Sequence, residues 1–245
     1  MDTQEFIKAV FFQTEENGKL EEYKKGLPIG MDENGGIVLS QKSERILTVK
    51  NTCVTGPNRT EFIRRLIVTL SCLYEKEQAY YFVLSPRMEY GELLRLQAAD
   101  VTVPYVRSKE DIALGVETLK ELMRIRATGK GNPHLFVILD GLDELPDCSG
   151  NGELEEYRAI NELLARKEDV DVIMGLDLSK SIFAGYPGAL LGMGNCLVTI
   201  RENGRADVTY VTEDSSLSLP LPIAYPSEPT VTDSILLLNT LSSQT

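Results

Sequence analysis

From residue 45 to residue 211 the chain alternates apolar runs of strand length with stretches of helical period, and few architectures satisfy that alternation. Arg45 to Asn51, Ala79 to Leu84, Leu135 to Leu139 and Val170 to Met174 are short apolar runs. Between them, Ile63, Leu66, Ile67 and Leu70 share one face of a helix over Thr60 to Leu73. Ile112, Val116, Leu119 and Met123 form a second stripe, with Ser108 as its cap and Glu110 and Asp111 at its positive end. A third helix is expected over Leu154 to Arg166. Strands separated by helices must cross over and lie parallel, so the chain reads as α/β with a mostly parallel, helix-flanked sheet. Leu135 to Leu139, apolar on both faces, is expected at its centre.

The flanks are less regular. Residues 5 to 12 fit either a strand or a short helix, and residues 1–25 read as a connector. Turn residues from Gly26 to Gly36, followed by Ile37-Val38-Leu39, predict a β-hairpin that opens a domain over 26–214. A short helix is expected over Gly91 to Gln97 and an extended piece over Val101 to Val106. Asn195 to Ile200 and Ala206 to Val211 read as strands joined at Glu202-Asn203-Gly204. From 215 to 245, prolines among serines predict an extended tail whose Ile235-Leu236-Leu237-Leu238 docks on the domain or a partner.

At 245 residues the chain suffices for one large core. A net charge of −12 argues against general affinity for the DNA backbone. The four cysteines, Cys53, Cys72, Cys148 and Cys196, are far apart and suit reduced thiols. His134 has no ligand set near it in sequence and is expected to be structural. No run approaches the roughly 20 apolar residues of a membrane span, and the opening Met1-Asp2-Thr3-Gln4-Glu5 is no signal peptide. That opening also fits a piece excised from a longer chain.

The chemistry-bearing stretches are Cys53-Val54-Thr55-Gly56-Pro57-Asn58-Arg59-Thr60 and the strand ending in Asp140. A phosphate loop GxxxxGK[ST] works through converging backbone N–H groups, a lysine on the β/γ phosphates and a hydroxyl on Mg²⁺. Gly56 and the Thr60 hydroxyl remain of it here. Cys53 and Asn58 stand at the signature glycine positions and Arg59 at the lysine, while Pro57 contributes no N–H. Arg59 keeps the charge, but its planar fork does not replace a compact ammonium. Asn58 is the mildest change, because Asn tolerates positive φ. Asp140 is placed to orient Mg²⁺ with Thr60, should a nucleotide bind; the next residue, Gly141, cannot activate a water. Asp143 and Glu144 are the candidate substitute catalytic acids, although acids at such positions more often cap the next turn or face solvent. Arg64 and Arg65 are read as a solvated helix face rather than as arginine fingers.

As a set these residues resemble FtsK/SpoIIIE-type ATPases, a branch of the RecA-like motors. Leu27-Pro28-Ile29-Gly30-Met31-Asp32-Glu33-Asn34-Gly35 is similar to the family's opening hairpin. Phe82-Val83-Leu84-Ser85-Pro86-Arg87 resembles its strand ending in Asp-Pro-Lys, with Ser85 for the acid. Gly175-Leu176-Asp177-Leu178 stands where active members carry a Thr-Gln-Arg-Pro sensor. The resemblance implies a RecA-like P-loop NTPase fold over about residues 26 to 212. Loop, strand acid, catalytic glutamate and sensor have all diverged, which resembles the degenerate C-terminal ATPase domains of the type VII secretion motor EssC/EccC.

What that resemblance implies is a non-catalytic module with no cofactor. It would contact neighbouring ATPase domains of the same motor and small helical WXG100-type substrates, in the cytosolic part of a membrane-anchored protein. Three other readings stay open. One is a weak Mg-ATP binder using Gly56, Asn58, Arg59, Thr60 and Asp140. Another is an ATP-hydrolysing motor using Glu144. The last is a DNA translocase, for which no duplex binding is expected.

Overall fold

The structure is a computed structural model describing residues 1–17, 26–40, 50–74, 76–128, 133–145, 170–177, 196–210 and 218–242. Its strands are β1 (Pro28–Met31), β2 (Ile37–Leu39), β3 (Lys50–Thr55), β4 (Ala79–Leu84), β5 (Asp100–Thr102), β6 (His134–Asp140), β7 (Val170–Gly175), β8 (Cys196–Ile200), β9 (Arg205–Tyr210) and β10 (Leu221–Ala224). The helices among the described residues are α1 (Thr3–Asn17), α2 (Arg59–Leu73), α3 (Lys109–Thr128) and α4 (Val231–Ser242).

The ten strands among the described residues form one sheet in the order β2-β1-β10-β9-β8-β3-β7-β6-β4-β5. From β8 to β5 every pairing is parallel; from β8 to β2 every pairing is antiparallel. In the parallel half, one α-helix, α2, lies between β3 and β4 and another, α3, between β5 and β6. The antiparallel half is built from the opening hairpin, the β8–β9 hairpin and β10. Asn203 and Gly204, at φ 60 and 70, make the β8–β9 turn, the left-handed pair that matches strand twist.

β6 shows why the centre lies where the sequence placed it. Leu135, Val137 and Leu139 face one layer of the core, and Phe136 and Ile138 face the other. A strand flanked by β7 and β4 and covered on both faces has to be apolar throughout. One layer holds Ile112, Val116 and Leu119 of α3. The other holds α2 together with Phe6 and Val10 of α1 and Val231 and Ile235 of α4.

Three local differences from the sequence reading have physical causes. The first core strand, expected over Arg45 to Asn51, extends through Thr55; it is described from Lys50 onward, and residues 41–49 lie outside the described residues. Within the segment read as a connector, residues 5 to 12 take the helix of their two open readings, as part of a longer α1 that buries Phe6 and Val10 at helical spacing. The segment read as a tail supplies β10 and α4. Its prolines are compatible with an edge-like pairing, since β10 meets β9 over four residues and β1 at one pair. The expected helix over Leu154 to Arg166 lies outside the described residues.

Candidate functional site

Where β3 meets α2, the loop is short. Cys53, Val54 and Thr55 are still strand, paired with Met174 and Gly175 of β7 and with Leu197, Val198 and Thr199 of β8. Only Gly56, Pro57 and Asn58 separate β3 from α2. Their backbone is sharply turned, with φ 101 at Gly56 and φ 57 at Asn58. The tolerance of Asn for the left-handed region is thus used. Cys53, at the first signature glycine position, is buried strand, and burial pushes its thiol up to about 12.

Asp140, the last residue of β6, is fully buried. Its Oδ1 accepts a hydrogen bond from Arg59 Nε at 3.1 Å. Its Oδ2 accepts from the Thr60 hydroxyl at 2.6 Å and from the Tyr90 hydroxyl at 3.1 Å. Arg87 Nε lies 3.6 Å from the same oxygen. A buried carboxylate is tolerable only when paired and hydrogen-bonded, and these groups meet both conditions. Burial, then the Asp140 charge, holds the Tyr90 phenol well above its ordinary pKa, so the phenol remains a donor.

Glu144 closes the set. It sits in a single 3-10 turn, Leu142–Glu144, that follows Gly141. Its carboxylate accepts from Arg59 Nη2, and Arg87 Nη2 lies 2.6 Å and 2.7 Å from its two oxygens. Burial raises the Glu144 pKa, but the Arg59 hydrogen bond and the Arg87 charge outweigh it and the net shift is downward. For Arg59 burial lowers the pKa; the Asp140 and Glu144 carboxylates outweigh it and the net shift is upward.

The backbone around this network leaves little freedom. Gly141 has φ 71, and a Cβ there would lie 3.0 Å from Arg87 Nε. The position that would carry a water-activating acid is therefore left-handed, which suits glycine far better than glutamate. A Cβ on Gly175 would lie 2.0 Å from Asp140 Oδ1. Leu176 follows, buried, with its N–H on the Val54 carbonyl at 2.9 Å, so it offers no polar group to the loop.

The sequence-predicted residues Arg59, Thr60, Asp140 and Glu144 come together in one cluster, with Gly56 and Asn58 in the loop beside it. Asp143 lies in the same 3-10 turn as Glu144. Sequence reasoning missed Arg87 and Tyr90. Arg87 had a signal, since it occupies the basic position of Ser85-Pro86-Arg87. Tyr90 had none, because its contact spans 50 residues of sequence. Arg64 and Arg65 correct an expectation: both are buried rather than solvated. Arg64 pairs with Glu61 at 2.9 Å and with Glu92, and Arg65 with Glu61 at 2.8 Å and with the Pro229 carbonyl. His134 is at the opposite end of β6, with Nε2 2.7 Å from Asp171 Oδ2 and its ring against Tyr74 and Phe136. Among the described residues no group of three metal-ligating side chains converges.

No protein-family model matches the chain, and no curated protein matches it in sequence. Solved structures do match its fold. The cytoplasmic domain of the Thermomonospora curvata type VII secretion ATPase EccC aligns over 88% of this chain and 31% of its own, with a TM-score of 0.57 and 17% identity. EssC ATPases 2 and 3 from Geobacillus thermodenitrificans align over 90% of this chain and 50% of their own, at 0.55 and 15%. The fold is shared with the ATPase domains of EccC and EssC. The pCW3 conjugation coupling protein TcpA, solved in a monomer form with ATPγS, shares it over 94% of this chain and 73% of its own, at 0.56 and 11%. This chain spans 31% to 50% of the length of the EccC and EssC structures named above. The RecA-like α/β core expected from sequence is present. In that EccC/EssC frame, the β3–α2 loop and the Asp140 end of β6 lie side by side at the carboxyl ends of the parallel strands, where open α/β sheets bind ligands.

Proposed function

We propose that this chain is a non-catalytic FtsK/SpoIIIE-like module of a type VII secretion-type motor, working through protein contacts in assembly, regulation or substrate engagement. The observation that carries this is the position of Arg59. The cation that should face phosphates is turned inward, bonded to Asp140 and Glu144. A nucleotide would have to draw Arg59 away from Asp140, a fully buried carboxylate that would lose a charged, hydrogen-bonded partner.

Two further features agree. Because β3 continues through Thr55, the N–H groups of Cys53 to Thr55 belong to a strand rather than to a phosphate cradle. Glu144, the one candidate base whose side chain is described, is held as a carboxylate by two guanidinium groups. Its lone pairs are engaged and its basicity is lowered, the opposite of what a general base needs.

Its partners would be neighbouring ATPase domains of the same motor. EccC and EssC are multi-ATPase structures, and EccC ATPases 2 and 3 were solved with a signal-sequence peptide. Small helical WXG100-type substrates fit this placement, as does a cytosolic position in a membrane-anchored protein. No helix among the described residues is long and apolar enough to cross a membrane.

One observation favours a second reading, weak Mg-ATP binding. Thr60 and Asp140 touch at 2.6 Å, and they are the hydroxyl and carboxylate that would hold Mg²⁺. Hydrolysis separates a working motor from the proposal. Steady-state phosphate release by wild type and by Glu144→Gln is expected at background for both. Wild-type turnover that disappears in Glu144→Gln would overturn the non-catalytic reading.

A further inference from the structure

The arginine pair over Glu144 has a chemistry of its own. Arg59 and Arg87 reach Glu144 from different elements, one from the start of α2 and one from the turn after β4. Arg59 is nearly buried, with 9% of its side chain exposed, whereas Arg87 and Glu144 are 28% and 30% exposed. Glu144 is therefore the member of the network that can swing into solvent by side-chain rotation. Asp140, fully buried and bonded to Thr60 and Tyr90, cannot. Arg87 Nε is buried and turned toward Asp140, 3.6 Å from its Oδ2, so Nη2 is the Arg87 donor that Glu144 engages.

Charge decides which ligand such a site takes. Two guanidinium groups and the fixed Asp140 carboxylate sum to one net positive charge. One monoanion neutralises that; a phosphate dianion or a polyphosphate would leave the buried cluster negative. Guanidinium forks match carboxylate and phosphate oxygens alike, so the charge balance is what selects the monoanion.

We infer that Arg59 and Arg87 form a carboxylate-binding site, filled in cis by Glu144 and open by exchange to an external carboxylate, the group that an Asp or Glu side chain of a partner protein presents. This rests on the reading that the cleft holds no nucleotide. Glu144 wins in the isolated chain because its tether gives it a high effective concentration. A partner holding an acidic side chain in place would compete on equal terms.

Chemical rescue tests this. In Glu144→Ala the site is vacated, and propionate at matched ionic strength is expected to raise the melting temperature saturably, by about 2–4 °C. Wild type should not respond, and neither should Glu144→Ala combined with Arg87→Ala. Absence of any saturable propionate effect in Glu144→Ala, or rescue that survives loss of Arg87, overturns the proposal. Stronger rescue by inorganic pyrophosphate than by propionate also overturns it, since the site would then be built for phosphates. Glu144→Gln provides a second folded background in which propionate should act weakly. If neither variant folds, the carboxylate is a structural requirement and the exchange is refuted. Saturable binding of Mg-ATP to wild type is a different outcome: it removes the underlying reading of the cleft, whatever propionate does.

Discussion

Gly175 has no room for a side chain because Asp140 Oδ1 fills the space where its Cβ would go. Gly175→Ala should lower stability by about 1–3 kcal/mol or more, as overpacking in a rigid core does. Chemical denaturation would show this as a lower midpoint at unchanged slope. A neutral result would mean that Asp140 is not held where the geometry puts it. Glu144 makes a second prediction. Its folded pKa lies below the usual 4.5, so its contribution is present above pH 4.5 and is lost as the pH falls from there through the folded value. The melting temperature of wild type should exceed that of Glu144→Gln near neutrality, and the gap should narrow below pH 4.5. A constant gap across that window would contradict a Glu144 held by ionic contacts. At this scale the sequence was partly legible. Thr60, Arg59, Asp140 and Glu144 were readable from motif position, and Gly141 from its departure from an acid. The closed network was not, because nothing in the order of residues says that Arg59 turns inward or that Tyr90 reaches Asp140.

Among elements, α2 is the hub, and the two ends of the chain meet on it. Arg65 bonds the Pro229 carbonyl and lies 3.4 Å from the Thr3 hydroxyl, while Thr3 N–H and Oγ1 both donate to the Glu228 carbonyl. Arg64 reaches Glu92, which also accepts from the Thr232 hydroxyl at start of α4. Two adjacent arginines on a helix look like a solvated face in sequence. Here α1 and α4 cover that face, so the arginines are buried as tethers instead. Proline and serine content reports local chain stiffness, so β10 and α4 were not legible in the tail. Its last apolar run was legible as a docking element, and Ile235 is buried in the core. Ile235→Ala should cost about 2–5 kcal/mol, as deletion of a buried aliphatic group does. Leu236→Ala, at a position 59% exposed, should stay within about 0.5 kcal/mol. Equal, small effects on thermal unfolding would show that α4 does not dock.

Across the whole molecule, the parallel half of the sheet followed directly from the alternation of strands and helices, and β6 was placed correctly from its two apolar faces. The antiparallel extension was less legible, since β10 pairs with β9 and β1 over separations that no periodicity encodes. The resulting frame is an EccC/EssC-type ATPase fold whose cleft is satisfied by its own side chains, and which is proposed to work by contact rather than by turnover. Calorimetric titration of the wild-type chain with Mg-ATP tests that most directly. No saturable heat is expected up to millimolar nucleotide. Saturable micromolar binding, abolished by Thr60→Ala, would contradict it.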